Sequence, residues 1–189
     1  MVGTLEPRKA HAPALGGCEL LWNAGKQVNL VIVGKQGWLV DALARRLRGH
    51  RELGKRLFWL EAISDEYLAR VYAASACLLA ASLGEGFGLP LIEAAQQGLP
   101  IIARDIPVFV EVAGEHAFYF SGTTAEGLAG SISEWLRLHA GQAVPPSRGM
   151  RWMTWADSTR QLVASLPRPL HHGFAASPLS HAPAVPERS

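Results

Sequence analysis

Residues 76–103 read ACLLAASLGEGFGLPLIEAAQQGLPIIA and hold two short apolar runs separated by a glycine-rich loop and a helical stretch. The runs at 76–80 and 100–103 are short and bounded by turn residues, which is typical of strands buried on both faces. Between them the spacing predicts a helix over 90–97 that is closed by Gly98. A strand, a loop, a helix and a second strand in this order indicate a parallel sheet covered by helices.

The same alternation continues in both directions along the chain. Met1 to Thr4 is predicted to be the end of a strand, and Ser64 to be the N-cap of a helix. Further strands are predicted at 28–33, 56–60 and 117–120, and helices at 38–49, 64–74, 108–112, 124–138 and 155–166. The pattern predicts an α/β fold with a doubly wound, Rossmann-like parallel sheet, whose ligands bind beyond the carboxyl ends of the strands.

One helix of this series is predicted to be poor. The first crossover helix should span 10–24, but this stretch contains Pro13 and the pair Gly16-Gly17. Each internal glycine costs about 1 kcal/mol relative to alanine. We therefore expect this helix to be weak or to begin late.

Composition excludes several classes of protein. The chain has 189 residues, 49% of them apolar, and a net charge of +2 from 18 basic and 16 acidic side chains. Such a balance argues against a nucleic-acid binder, and no apolar run approaches the ~20 residues that span a bilayer. Cys18 and Cys77 are too few for a disulfide scaffold and are expected to be buried thiols in a reducing compartment. We expect a cytoplasmic protein; peripheral contact with the inner face of the membrane stays open.

The chain is slightly long for one compact domain. Residues 167–189 contain five prolines and three histidines without apolar periodicity. A segment of this composition cannot bury enough surface to offset its ordering entropy. We therefore predict one domain over 1–166 and a disordered tail over 167–189.

The glycine-rich loop is the strongest candidate for a ligand site. Gly84, Gly86 and Gly88 allow a ligand to approach the backbone, and the helix that follows offers free N–H groups suited to phosphate. Glu85 lies in the loop and Glu93 lies one turn into the helix, so both carboxylates could accept hydrogen bonds from sugar hydroxyls. From spacing alone, a structural glycine turn with two solvated glutamates explains the segment equally well.

Basic residues form two further candidates. Arg8 and Lys9 directly follow the first strand, where two cations could neutralise a diphosphate, although a solvated surface pair is the simpler interpretation. A second group of basic residues lies at 45–56 and is interpreted as a solvated helix face rather than a phosphate-binding or membrane-binding patch. It consists of Arg45, Arg46, Arg48, Arg51, Lys55 and Arg56. The sequence contains no Cys/His cluster, Walker-type loop or serine elbow.

Five motifs in a fixed order resemble those of a known family. They are Gly-Thr-Leu-Glu-Pro-Arg-Lys at 3–9, Leu-Val-Ile-Val-Gly at 30–34, Ser-Asp-Glu-Tyr-Leu at 64–68, Glu-Gly-Phe-Gly-Leu-Pro-Leu-Ile-Glu-Ala at 85–94 and Gly-Leu-Pro-Ile-Ile-Ala at 98–103. Over roughly 2–165 the chain resembles the donor-binding half of retaining, family-4-type glycosyltransferases. The resemblance implies the C-terminal half of a GT-B fold and transfer of a hexose, with mannose the commonest case, in polysaccharide synthesis.

The resemblance also implies roles for individual residues. Glu85 and Lys9 would be the catalytic pair, Glu85 at the donor-sugar hydroxyls and Lys9, with Arg8 beside it, at the phosphates. Glu93 would bind the ribose hydroxyls, and the backbone near Ile63 would lie beside the nucleobase. The backbone amides that hold sugar and diphosphate would be those of Gly86, Phe87, Gly88 and Leu89. The substrate would be a nucleotide-diphosphate sugar, with no metal required, because fixed cations and a helix N-terminus can stabilise the leaving diphosphate.

The chain also departs from the pattern. Thr4 stands where many members carry arginine, and Ala81 where proline is frequent. Enzymes of this fold place the acceptor site in an N-terminal domain, which we expect to be missing here or separately encoded. Catalysis needs both halves, so the chain alone is expected to bind its donor weakly and to transfer little. A non-catalytic nucleotide-binding or interaction module stays open as the alternative; an epimerase of the same fold is disfavoured by the two glutamates.

Overall fold

The computed structural model describes residues 1–153 and 155–166. Met1–Trp152 form one compact unit, and the described residues from Met153 onward fall outside it. The tail predicted at 167–189 lies outside the described residues. The predicted domain boundary at 166 stays a prediction.

Helices and strands alternate through the first unit as the sequence predicts. The helices are α1 His11–Asn23, α2 Asp41–Arg48, α3 Asp65–Ala73, α4 Leu89–Gln96, α5 Pro107–Ala113 and α6 Ala125–Ala140, and the strands are β1 Leu30–Val33, β2 Leu57–Leu60, β3 Leu78–Ala80, β4 Ile101–Arg104 and β5 Phe118–Phe120. Short 3₁₀ turns cover Pro7–Lys9, Gly114–His116 and Ser147–Gly149. In the second unit, Trp155–Ser165 form a helix, α7, in agreement with the predicted span.

The described strands pair in parallel, in a two-stranded sheet β1-β2 and a three-stranded sheet β3-β4-β5. The segment Met1–Leu5 runs parallel to β1, with Gly3 N donating to Val33 O and Leu5 N to Lys35 O, both at 2.9 Å. The strand end predicted at Met1–Thr4 is therefore present as isolated bridges rather than as a continuous strand.

The period of two along the strands divides the core between two faces of the sheet. Leu78 and Ile101 are buried on one face with α4 and α5. Leu79 and Ile102 are buried on the other face, where α6 contributes Trp135. A third cluster covers β1 with α1 and α2. Helices on both faces confirm the predicted α/β, doubly wound architecture.

Helix α1 begins earlier and is more regular than its sequence predicts. It runs without interruption from His11, because Pro13 lies in the first turn, where a missing N–H does little harm. The glycine pair faces α6: a Cβ on Gly16 would lie 2.9 Å from the Cβ of Ala125, and one on Gly17 would lie 3.1 Å from the carbonyl oxygen of Ala125. The helix therefore does not begin late, and the glycines allow α1 and α6 to pack closely. That the helix is weak stays a prediction.

Two other helix starts show local causes. Ser64 caps α3 as predicted, accepting a hydrogen bond from the N–H of Tyr67 at 3.2 Å. Helix α2 begins at Asp41, three residues later than the predicted 38–49 span, because Leu39 adopts a positive φ of 53° that a helix cannot contain.

The glycine pair makes a testable prediction about stability. Replacing both Gly16 and Gly17 by Ala should lower the free energy of unfolding by about 1–3 kcal/mol, because the added methyl groups push α1 from α6. The control is Gly130→Ala on α6, where a Cβ meets open space. Since alanine is the better helix former, this control should raise the same free energy by about 0.5–1 kcal/mol. Urea unfolding followed by circular dichroism measures both, and a double variant as stable as the parent would contradict the packing argument.

Candidate functional site

The glycine-rich loop joins the carboxyl end of β3 to the start of α4. Gly88 is the N-cap of α4 and has φ +89°, a left-handed conformation that favours glycine. A Cβ there would lie 3.0 Å from a ring atom of Phe109, whereas Gly84 and Gly86 have nothing within 4 Å of the corresponding position. The loop therefore presents open backbone at the edge of the sheet where doubly wound folds bind ligands.

Three side chains converge on the carboxylate of Glu85 in this loop. Lys9 Nζ and Ser82 Oγ both donate to Oε1, the serine at 2.7 Å, and Arg8 Nη1 donates to Oε2 at 2.9 Å. Arg8 also bridges to the Glu6 carboxylate at 2.8 Å. The structure thus brings the two predicted cations and the first predicted glutamate into one ion cluster, which we call the Glu85 cluster.

Backbone hydrogen bonding joins the two segments that carry this cluster. Lys9 ends a 3₁₀ turn over 7–9, and Leu83 N donates to Arg8 O at 2.7 Å. Arg8 Nη1 also donates to Gly84 O at 3.2 Å. The cations are therefore held against the loop by its main chain as well as by charge.

Burial and hydrogen bonding act in opposite directions on the Glu85 carboxylate. Burial raises its pKa, because removal from water disfavours the charge. The hydrogen bonds from Lys9, Ser82 and Arg8 lower it more, so the net pKa lies below that of a free glutamate. Glu85 is therefore an ionised acceptor at neutral pH, although its side chain is only 9% exposed.

The second predicted glutamate lies apart from the Glu85 cluster. Glu93 is half-buried in the second turn of α4, and its Oε2 accepts a hydrogen bond from the hydroxyl of Tyr72 at 2.7 Å. Burial, followed by the contact with Glu93, raises the pKa of Tyr72, so that its hydroxyl stays protonated. Within the described residues, Glu93 shares no hydrogen bond or ion pair with the Glu85 cluster.

The remaining predicted site residues lie around the same edge of the sheet. Phe87 is 54% exposed and Leu89 is 49% exposed at the start of α4. Ile63 is half-buried in the connection between β2 and α3, after Ala62 with its positive φ of 52°. Residues 86–89 follow the carboxyl end of β3 and Ile63 follows that of β2, so the topology places these segments beyond the carboxyl ends of strands.

Sequence reasoning missed two residues that support the loop. Ser82 holds Glu85 directly, and Arg104, at the end of β4, donates through Nε to Ala81 O at 2.9 Å. The guanidinium is buried, also bonds Gly122 O, and lies 4.9 Å from the ring centroid of Phe120. Burial lowers the pKa of Arg104. Arg104 is a charged residue directly after the apolar residues of β4, and this position is the sequence signal that could have indicated its role.

The run of basic residues around α2 is largely exposed and engages nearby groups. Arg46 pairs with Glu19 of α1, and Arg48 lies 4.7 Å from the ring centroid of Trp59. Arg56 bonds Glu52 at 2.9 Å. These contacts agree with the interpretation as a solvated face.

Neither cysteine is suited to chemistry. Cys18 is buried, Cys77 is partly buried, and the two are unpaired. Burial raises the pKa of each thiol to about 12, so both stay protonated at neutral pH.

Over residues 1–153 and 155–166, no group of three or more His, Cys, Asp or Glu side chains is placed to hold a metal ion. The helices in that part of the chain are too short or too polar to cross a membrane.

Fold and site together define an α/β domain with a charged, glycine-lined crevice at the carboxyl edge of a parallel sheet. The family model described as Glycosyl transferases group 1 matches residues 1–144. The chain belongs to that family.

Two curated proteins of Escherichia coli are similar to the chain. It is 57% identical over 167 residues to the serotype-specific mannosyltransferase WbdA, and the match covers 88% of this chain and 20% of that protein. It is 29% identical to the O-antigen chain mannosyltransferase B, with 86% of this chain and 43% of that protein covered. The chain thus spans a fifth of the length of the more similar of the two.

Solved structures agree on the fold. Anabaena HepE in complex with UDP and glucose matches with a TM-score of 0.70 at 19% identity, covering 87% of this chain and 48% of that one. The C-terminal domain of a group 1 family glycosyl transferase, LpcC from Francisella tularensis, matches with a TM-score of 0.65 at 15% identity, covering 87% and 83%. The predicted family resemblance and the GT-B fold class are confirmed.

The lowered pKa of Glu85 makes a prediction about pH dependence. The ionised Glu85 cluster stabilises the fold above the unfolded pKa of glutamate, about 4.3, and this contribution is lost as the pH falls through the lower folded pKa. The stability difference between the parent and Glu85→Gln should therefore shrink on acidification from about pH 6 to about pH 3. Thermal unfolding across this range measures it, with the exposed Glu115→Gln as the matched control. A difference that stays constant would show that Glu85 does not titrate with a lowered pKa.

Proposed function

We propose that this chain is the donor-binding domain of a retaining glycosyltransferase and holds a nucleotide-diphosphate sugar at the carboxyl edge of its sheet. The observation that carries the proposal is the Glu85 cluster, in which two cations and a buried carboxylate lie beside an open glycine loop and a helix N-terminus. Cations suit a diphosphate, and a carboxylate suits sugar hydroxyls.

In this proposal the diphosphate binds between Lys9, Arg8 and the start of α4. The backbone N–H groups at 86–89 lie at the N-terminus of α4. The partial positive charge of a helix N-terminus favours an anion there. Transfer breaks the bond from the anomeric carbon to the diphosphate oxygen, and the electron pair leaves with the diphosphate. The acceptor hydroxyl oxygen bonds to the anomeric carbon, and its proton passes to the leaving diphosphate oxygen. Preorganised cations stabilise the charge that develops on the leaving group.

Glu85 takes the donor-sugar hydroxyls in this arrangement. Its oxygens are occupied by Lys9, Arg8 and Ser82 in the structure, and the first two are the residues proposed for phosphate. A bound diphosphate competes for both cations and so releases carboxylate lone pairs for the sugar. The same side chains thereby serve the empty site and the loaded one.

The donor sugar and the biological setting are inferred from the relatives. Two of the proteins similar to this chain are named as mannosyltransferases, one of them 57% identical over most of the chain. We infer that the hexose is mannose and that the product is a bacterial surface polysaccharide. Glu93 would accept the ribose hydroxyls, and the backbone at Ile63 would meet the base.

The acceptor site is assigned to a separate domain. The chain covers only a fifth of its 57%-identical relative, and the Arg8 side chain of the Glu85 cluster is 45% exposed. Transfer requires the reacting centre to be enclosed and the acceptor to be oriented. We therefore propose that a second, acceptor-binding domain, joined or separately encoded, completes the enzyme.

Calorimetric titration of the chain with GDP, UDP, GDP-mannose and UDP-glucose tests the proposed donor site. Lys9→Ala should weaken nucleoside diphosphate binding about tenfold to 100-fold, because it removes a charge-assisted hydrogen bond worth about 1.5–3 kcal/mol. Lys26→Ala, which removes an exposed lysine between α1 and β1, is the matched control and should bind as the parent does. Absence of binding to all four compounds at millimolar concentration would contradict the donor site.

Turnover by the isolated chain tests the assignment of the acceptor site. Incubation of the chain with GDP-mannose and a mannose oligosaccharide should release no GDP above the uncatalysed rate, because nothing orients the acceptor. Release of GDP measured by a coupled assay reports the result. Efficient transfer by the chain alone would show that it already holds a complete active site.

A further inference from the structure

Tyr72 is the residue of α3 that enters the core. Of the residues of α3, all of which the structure describes, Tyr72 alone is buried, with 5% of its surface exposed. Its ring packs in the cluster that contains Leu78, Leu91 and Ile92. Because close-packed neighbours surround the ring, the position of its hydroxyl is set by the core.

The hydroxyl of Tyr72 is hydrogen-bonded to the carboxylate of Glu93. It donates to Oε2 at 2.7 Å, across 21 residues of sequence and from a different helix. A buried phenol O–H is unfavourable without an acceptor, so this hydrogen bond ties the glutamate to the core. Over the part of the chain that the structure describes, the other oxygen, Oε1, accepts no hydrogen bond, which leaves it available for a ligand.

Free glutamate side chains sample many rotamers and lose that freedom when they bind a ligand. A carboxylate already held by a rigid neighbour avoids this loss, so the ligand meets a preorganised acceptor. The raised pKa of Tyr72 keeps the hydroxyl a donor throughout the neutral range. The pair thus has the properties of a fixed acceptor for vicinal hydroxyls.

We propose that Tyr72 is a positioning residue that holds Glu93 in the conformation that accepts the ribose hydroxyls, and that it thereby sets the preference of the site for ribonucleotides. The proposal rests on the role of Glu93 in the proposed function. Tyr72 does not touch the nucleotide; it acts through one carboxylate oxygen and leaves the other to the sugar. Its removal therefore affects ligands with ribose hydroxyls and spares ligands without them.

The test compares two ligands that differ only in those hydroxyls. The nucleoside diphosphate that binds the parent chain best and its 2′,3′-dideoxy counterpart are titrated calorimetrically into the parent, Tyr72→Phe and Glu93→Ala. Tyr72→Phe should weaken the ribonucleotide about twofold to tenfold, the fold-change expected when one rotamer-rich side chain must be ordered on binding, and should leave the dideoxynucleotide unchanged. The matched control is Tyr67→Phe, an exposed tyrosine of the same helix, which should bind both ligands as the parent does.

A double-variant cycle separates positioning from a purely structural effect. If Tyr72 acts through Glu93, adding Tyr72→Phe to Glu93→Ala should not weaken ribonucleotide binding further. Equal weakening of both ligands by Tyr72→Phe, together with a lowered Tm, would show a structural role and overturn the proposal. Full ribonucleotide affinity in Tyr72→Phe, with clear loss in Glu93→Ala, would overturn it as well.

Failure of the underlying function gives a different result. If Glu93→Ala leaves ribonucleotide and dideoxynucleotide binding unchanged, the ribose role of Glu93 is wrong, and the positioning role of Tyr72 falls with it. If Tyr72→Phe is too unstable to titrate, it is made together with Gly130→Ala, whose open helical position is expected to restore stability. The comparison of the two ligands is then repeated against Gly130→Ala alone.

Discussion

The carboxylate of Glu85 is withdrawn from water, and two cations from a distant part of the chain keep it ionised. Arg8 and Lys9 lie 77 and 76 residues away in sequence, in a turn after the first parallel segment. They reach Glu85 because parallel strands bring their carboxyl ends to one edge of the sheet. The glycine loop, the start of α4 and the support from Ser82 are all arranged around this ion cluster.

The cluster also balances the charge of the Glu85 carboxylate. Arg8 is shared between Glu6 and Glu85, and Lys9 is held by Glu85, so the largely buried carboxylate of Glu85 is balanced by two cations. In the proposed function, a diphosphate would take over the cations, replace one anion by another and free acceptors for a sugar. Burial makes such an exchange sensitive to charge, because interactions between ions strengthen in a low dielectric.

Much of the fold and part of the site follow from the sequence because their signals are local. The apolar runs predict the ends of the strands to within about three residues. Ser64, which precedes two acidic residues, is the N-cap of α3, as its sequence predicts. The order of motifs also identifies Glu85, Lys9 and Glu93 as candidates. Helix α1 does not begin late as its glycines suggested, since helix propensity describes an isolated chain and ignores the helix α6 that packs against Gly16 and Gly17. The sequence does not predict the contacts of Tyr72 with Glu93 or of Arg104 with Ala81, because these partners are 21 and 23 residues apart.

The sequence by itself determined the alternation of strands and helices, the position of the glycine-rich loop and the family to which the chain belongs. These depend on periodicity and on short motifs, which are properties of neighbouring residues. Only the tertiary structure decided that Arg8, Lys9 and Ser82 share the carboxylate of Glu85, while Glu93 is held separately by a tyrosine of α3. Which side chains meet across a parallel sheet depends on how its segments and helices pack, and spacing along the chain carries no record of that geometry.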